Sequence, residues 1–507
     1  MMSDSKQRKL GVILSYFSII VNTLIQLIYT PFLIKMLGQS EYGLYSLVSS
    51  IIGYLTVLDL GFGNAIVVYT SKYRALNKTN EEKRLHGMFF YIFCIIGVIA
   101  ALLGIIFFLN ISNIFGNTMT EIELKKVKIM MIILIFNLAI SFPFSIYSSI
   151  LNAYEQFTFQ KIVSIINSLI KPLIMIPLLF LGYKSITMAV VITIVNIAVM
   201  ISNCLYCKNK LKIKIKYQGF DKKLFKEIFS YSFFVFLAVI VDKINWSVDQ
   251  FVLGAISGTI AVSIYSVASQ LNSLFISLST AVSGVLLPKM SKLVASNASD
   301  SKLTNEFIKV GRIQYLLIFL MASGLVIFGK QFIILWVGEQ FTDSYYVALL
   351  LILPLCIPLI QNLGLSIMQA KNKFKFRTIC MVIMSIFNLI ISIFLAKKYG
   401  PIGSAVGTAI SLIVINVFLM NIYYYKVIKI NVIKFWKSII KMTIPFIIPV
   451  SLILIIMKLI SFTPIVNIII FASLYSLMYF LIAYLFSMNE YERGIIKNIL
   501  KRLNLIK

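Results

Sequence analysis

The chain has 507 residues, of which 60% are hydrophobic and only 13% charged, with a mean hydropathy of +0.94. A soluble domain carries about a quarter charged residues, so this composition excludes a soluble globular enzyme, a disordered chain and a disulfide scaffold. The balance of 47 basic against 18 acidic residues, a net +29, would suggest nucleic acid in a soluble protein. Here the basic residues lie between apolar stretches and read as orientation signals in a membrane, so no nucleic-acid partner is expected.

One crossing of a bilayer takes roughly 20 apolar residues in a helix. Fourteen such segments follow one another at about 10–34, 44–69, 87–109, 128–153, 160–182, 185–207, 228–254, 260–287, 313–336, 345–370, 375–396, 401–425, 437–459 and 464–487. Their hydropathy is continuous rather than alternating, which argues against a membrane β-barrel. Backbone groups in hydrocarbon must bond within their own segment, so the spans are expected to be α-helices. The first span follows Lys6, Arg8 and Lys9 and is too long for a signal-peptide core, so it reads as uncleaved.

Outside the spans or near their ends, 36 basic residues fall on the side of the N-terminus and nine on the other. By the positive-inside bias the basic side is cytoplasmic, and an even span count puts both termini there. One misplaced span would swap every later loop and erase the bias. The run Lys208–Lys216 is the most basic segment, and it is expected to be a loop resting on anionic lipid.

Two stretches match at a spacing of 217 residues: Ser149-Ile-Leu-Asn-Ala-Tyr-Glu-Gln-Phe-Thr-Phe159 and Ser366-Ile-Met-Gln-Ala-Lys-Asn-Lys-Phe-Lys-Phe376. Leu37-Gly38 is echoed by Leu253-Gly254, and Tyr45-Ser46 by Tyr265-Ser266. The repeat unit holds six spans, so its two copies share one orientation. The expected architecture is an all-α integral membrane protein with about 14 transmembrane helices. Residues 1–207 and 227–425 would be six-helix lobes joined by a basic linker, 208–226. Residues 426–507 add two helices and a basic tail.

The connections leave no room for a catalytic domain. Glu121 and Glu123 read as charge on a wet loop, and no GxxxxGK[ST] phosphate loop is present. The five cysteines, including the pair Cys204 and Cys207, read as packing thiols, because a structural zinc site takes four ligands. No catalytic residue, metal or cofactor is therefore expected.

Charges inside spans are the informative exceptions. Asp59, Lys171, Asp242, Lys243 and Asp249 would each cost roughly 2.5–3.5 kcal/mol at a span centre. They should face a cavity or one another. Asp242, Asn245, Trp246 and Asp249 share one helical face, and Asn22, Gln26 and Tyr29 make a similar stripe on the first span. An offset of 216 places Gln26 opposite Asp242. Pro172 and Pro177 follow Lys171, so the fifth span is expected to kink or break. Two readings stand side by side: these charges pair and hold helices together, or the lysines attract an anionic substrate while an aspartate carries a coupling cation. The candidate substrate-binding residues are Lys171, Lys243, Asn22, Gln26, Asn245 and Trp246; the coupling-ion candidates are Asp59, Asp242 and Asp249.

Several motifs carry a family resemblance: Leu37-Gly-Gln-Ser-Glu-Tyr-Gly-Leu-Tyr45, Leu58-Asp-Leu-Gly-Phe-Gly63, Asp249-Gln-Phe-Val-Leu-Gly254, Ile264-Tyr-Ser-Val-Ala268, Phe328-Gly329 and Leu335-Trp-Val-Gly338. In these the chain resembles the polysaccharide transporter family of lipid-linked oligosaccharide flippases, relatives of the multidrug extrusion proteins and of the lipid II flippase. The resemblance implies a non-enzymatic transporter of a bacterial cytoplasmic membrane. It would move a polyprenyl-diphosphate oligosaccharide to the outer leaflet by alternating access, coupled to H+ or Na+ through an aspartate. Its partners would be that lipid-linked sugar, membrane lipids, a glycan polymerase and glycosyltransferases. The competing expectations are a cation-coupled drug or metabolite exporter and a non-transporting scaffold for glycan assembly.

Overall fold

A computed structural model describes residues 4–213, 215, 217, 219–284, 290, 293–294, 296, 298–371, 373, 375–459 and 465–502. Every regular element among them is helical. In chain order these are α1 (Asp4–Leu37), α2 (Gln39–Leu55), α3 (Phe62–Ala75), α4 (Thr79–Phe115), α5 (Glu121–Ala153), α6 (Phe157–Phe180), α7 (Ser185–Asn209) and α8 (Lys222–Gly284). There follow α9 (Asp300–Val337), α10 (Asp343–Ile360), α11 (Asn362–Ala370), α12 (Lys375–Leu412), α13 (Val432–Thr443), α14 (Ile447–Leu459), α15 (Ile465–Ile482) and α16 (Glu490–Arg502). The helical path of α12 runs on through π turns to Ile428.

Twelve helical stretches among the described residues are long and apolar enough to cross a membrane. Two of them, Val248–Ser277 and Lys375–Ile428, are divided by non-helical glycines, Gly258 and Gly400. Dividing them there gives the fourteen long helices read from the hydropathy. The ends are specified locally. Thr120 and Glu123 form a reciprocal capping box at the start of α5, and Ser299 and Asn431 accept from backbone N–H groups at the starts of α9 and α13.

The turns sharpen the repeat. Gly38 (φ 84, ψ 166) and Gly258 (φ 80, ψ −174) share one conformation. It is closed to residues with a Cβ, and each glycine ends the first helix of its copy. Gly182 and Gly400, also at positive φ, follow the same pattern later in each copy. The echo of Gly38 is thus Gly258, not Gly254. The offset there is 220, which the Tyr45/Tyr265 match already carried. In this register position 26 of the first copy corresponds to position 246 of the second, and position 22 to position 242.

The chain forms two compact units: Met1–Ser266 with Leu389–Ser404, and Val267–Asn388 with Ala405–Lys507. In the first, Phe62, Phe89, Phe93, Phe142, Ile146 and Ile150 form a buried core between α3, α4 and α5. A second cluster joins Leu33 and Leu37 of α1 to Met175 and Leu179 of α6 and Val191 of α7. In the second unit, Phe446 stacks on Tyr479 with ring centroids 4.2 Å apart, and Phe307 packs on Phe435 at 4.7 Å. The half-buried Arg312 ties α9 to the start of α16, donating to both carboxylate oxygens of the buried Glu492 at 2.6 and 2.9 Å. It also reaches the Ser438 hydroxyl and the Ser487 carbonyl.

Two expectations change. α6 runs uninterrupted from Phe157 to Phe180 through Pro172 and Pro177, so the fifth span does not break there. The break falls in the second span instead, where Thr56–Asp59 tightens to a 3-10 turn and Leu60 and Gly61 turn left-handed before α3 begins. The glycines of Asp59-Leu-Gly-Phe-Gly63 make that break possible.

Candidate functional site

All nine sequence-singled residues belong to the first unit. The side chains of Asp242, Asn245 and Trp246 lie outside the described residues. The others can be placed.

Asp59 is half-buried at the end of the 3-10 turn. Its carboxylate accepts the Gly63 N–H, and its oxygens lie 3.5 and 3.7 Å from where a Cβ on Gly63 would stand. The acid therefore caps the restarted helix α3. Lys243 is half-buried on α8, and its Nζ is 3.7 Å from the corresponding position at Gly53 of α2. A glycine there keeps space open beside the ammonium. The adjacent Tyr54 hydroxyl is buried without a hydrogen bond among the described residues.

Lys171 is half-buried on α6. One turn earlier, Asn167 has a buried side-chain oxygen that accepts no hydrogen bond among the described residues. α1 and α6 are the first and fifth spans, so they cross in the same direction. They meet where Phe32 packs on Phe180, with centroids 5.7 Å apart. Nine residues back along each helix are Thr23 and Lys171, which sets the lysine level with the Asn22–Gln26 turn of α1. Asn22 donates to Ser18 at 3.3 Å, and Gln26 is exposed. Neither Lys171 nor Lys243 makes an ion pair among the described residues.

Asp249 is different. It is 2% exposed, and both carboxylate oxygens are engaged: Tyr265 donates at 2.5 Å and Ser404 at 2.6 Å. This carboxylate knots the two halves of α8 to the segment after Gly400. Its geometry is that of a satisfied structural acid.

A second polar cluster sits at the opposite ends of these helices from the basic loops, and the sequence reading missed it. Glu123 is not loose surface charge. It accepts from Ser40 at 2.5 Å and from Thr259 at 2.9 Å, besides its capping bond to the Thr120 N–H at 2.9 Å. Glu123 precedes the apolar span 128–153. Burial alone would push its carboxyl up, but these hydrogen bonds outweigh burial and hold it below the usual range. Glu41, 7% exposed, pairs with Lys126 and accepts from Ser185. Thr118 donates to the Gly254 carbonyl at 2.8 Å. A Cβ on Gly43 would collide with the Thr259 carbonyl. The segment Gly38–Gly43, singled out only as a motif, is the centre of this cluster. Its signal was an acid and two glycines beside a helix start.

Residues 9–294 match the polysaccharide biosynthesis protein family. A putative O-antigen transporter of Shigella flexneri is 23% identical over 422 residues, covering 80% of this chain and 95% of the relative. Another, from Salmonella typhimurium, is 30% identical over 95 residues, or 18% of this chain and 22% of the relative. Among solved structures, the lipid II flippase MurJ in an inward closed conformation superposes with a TM-score of 0.73 at 21% identity, covering 96% of this chain and 99% of that one. An inward-facing multidrug resistance MATE transporter of the MOP superfamily gives 0.64 at 13% identity, covering 84% and 96%. With residues 9–294, more than half of its length, matched to the family, the chain belongs to the polysaccharide biosynthesis proteins, and it is built as a multi-pass membrane protein with the fold of these solved structures.

Proposed function

We propose that this protein is a flippase that moves a polyprenyl-diphosphate-linked oligosaccharide from the inner to the outer leaflet of a bacterial cytoplasmic membrane. The observation that carries the reading is the pair Lys171 and Lys243: two cations inside apolar spans with no acidic partner among the described residues. An unpaired charge at that depth is expensive unless something else compensates it. A diphosphate passing by would do so. Asn22 and Gln26 of α1, Tyr54 of α2 and Asn167 of α6 supply amide and hydroxyl groups, replacing the water that a sugar headgroup loses. The names of the O-antigen relatives support a lipid-linked polysaccharide as cargo.

The two six-helix repeats would rock in alternating access, with the termini on the cytoplasmic side where the basic loops lie. The headgroup carries about two negative charges, and each is worth about 2.3 kcal/mol per 100 mV. Its outward passage is therefore downhill across a membrane that is negative inside. Asp59 is the better-placed coupling residue for H+ or Na+: it accepts one backbone N–H and has no cationic partner among the described residues. Polymerase and glycosyltransferases are its expected partners.

A second reading, a cation-coupled drug exporter, draws on the same Asp59 and on the fold shared with the MATE transporters. Proteoliposomes separate the two. Flipping of a fluorescent lipid-linked oligosaccharide above the rate in empty vesicles, lost in Lys171→Gln/Lys243→Gln, is the expected result. A parent protein that leaves this rate unchanged but exports a cationic dye would favour the exporter.

A further inference from the structure

The linker after α7 does something its charge alone did not suggest. Leu211, Ile213 and Ile215 alternate with lysines, and these three apolar side chains pack against the core formed by α3, α4 and α5. The Leu211 and Ile213 N–H groups bond back to the Tyr206 and Cys207 carbonyls, and Lys212 takes the left-handed conformation at φ 55 that ends α7. These apolar side chains are thus folded onto the protein, while Lys208 and Lys212 stay exposed. The segment borders a cavity of about 940 Å³ lined by Phe90, Tyr91, Tyr147, Lys208, Lys212 and Tyr217, together with the edges of Ile213 and Ile215. That volume is at the upper end of the roughly 300–1,000 Å³ typical of ligand sites.

Three features fix the chemistry. The lining contains two lysines and no acid, and neither lysine makes an ion pair among the described residues. Three tyrosines and a phenylalanine surround them, with Tyr91 and Tyr217 packed edge to face at 4.8 Å. Such rings offer flat apolar faces with polar tips, which suit a sugar ring. The depth is also specific. Phe90 and Tyr91 lie in the first turn of the apolar span 87–109, and Tyr147 lies near the end of the span 128–153. Both are at the basic ends of their spans, the interfacial level where aromatic residues collect and lipid phosphates lie.

We propose that this cavity is a docking site for the phosphate-bearing headgroup of a lipid-linked sugar in the inner leaflet, with Lys208 and Lys212 holding phosphate and Tyr91 and Tyr217 facing the first sugar. The site is separate from Lys171 and Lys243. It rests on the flippase reading only for the identity of the lipid; the shared chemistry is a lipid phosphate.

The test is equilibrium binding to the full chain in neutral phosphatidylcholine nanodiscs, with farnesyl-diphosphate-N-acetylglucosamine as the probe. Lys208→Gln/Lys212→Gln should weaken binding at least tenfold. Tyr91→Ala should weaken it several-fold, and leave the affinity for farnesyl diphosphate, which has no sugar, close to that of the parent. Lys222→Gln/Lys223→Gln, equal in charge but outside the cavity, should bind like the parent. Equal affinity of the parent and Lys208→Gln/Lys212→Gln overturns the proposal. So does a lysine-dependent affinity for phosphatidylglycerol in the nanodisc with none for the probe, which would make the cavity an ordinary lipid site. If the parent still flips cargo in proteoliposomes in either case, only the docking site has failed; a parent that neither binds nor flips removes the flippase reading itself.

Discussion

Replacing Asp249 separates a structural acid from a coupling one. The carboxylate is 2% exposed and accepts from Tyr265 and Ser404. Hydrogen bonds to a charged group contribute about 1.5–3 kcal/mol each, so Asp249→Ala should lose roughly 3–6 kcal/mol as two buried hydroxyls lose their acceptor. Asp249→Asn keeps an acceptor oxygen. Neutral hydrogen bonds are about half as strong, so it should lose about half as much. The assay pairs apparent thermal unfolding in detergent with flipping of a lipid-linked oligosaccharide in proteoliposomes, normalised to folded protein. The expected order of stability is parent, Asn, Ala, with flipping per folded molecule and its dependence on a cation gradient preserved in the Asn variant. A stable Asp249→Asn protein whose flipping no longer responds to the gradient would refute the structural assignment and make Asp249 the ion carrier.

Gly43→Ala drives a methyl into the Thr259 carbonyl; overpacking of this kind typically costs about 1–3 kcal/mol, and it should lower the apparent unfolding temperature where Gly324→Ala, with open space around it, does not. Arg312→Ala leaves Glu492, 3% exposed on its side chain, without its cation; breaking a buried pair costs roughly 3–5 kcal/mol, and limited proteolysis should then release α16 first. Glu123 has a folded pKa below its unfolded one, so the stability it contributes is present above the ordinary carboxylate range near pH 4–5 and is lost as pH falls through the lowered value. A melting series from pH 7 to pH 3 should therefore be flatter at its acid end in Glu123→Gln than in the parent; identical curves would remove the hub from the acid response.

Hydropathy alone was enough for the fourteen helices, because a segment in hydrocarbon has to satisfy its backbone internally and a run of about 20 apolar residues can do so in only one way. The duplicated turn was legible only approximately: the sequence echo pairs Gly38 with Gly254, whereas the shared positive φ lies at Gly38 and Gly258, four residues further on. The charged residues were legible as exceptions but not as roles. Asp59, Lys171, Lys243 and Asp249 look alike along the chain, yet one caps a helix, two stand without an ion-pair partner among the described residues and one is closed by Tyr265 and Ser404. What separates them is which hydroxyl, backbone N–H or glycine the fold sets beside each. Ser404 comes from 155 positions away, and Thr259 reaches Glu123 across 136. Partners so remote are chosen by packing, and no local pattern announces them. The same holds for the linker: its charges were obvious, but only the folded chain turns Leu211, Ile213 and Ile215 onto the core and sets Lys208, Lys212 and Tyr217 beside Tyr91 in one basic, aromatic cavity.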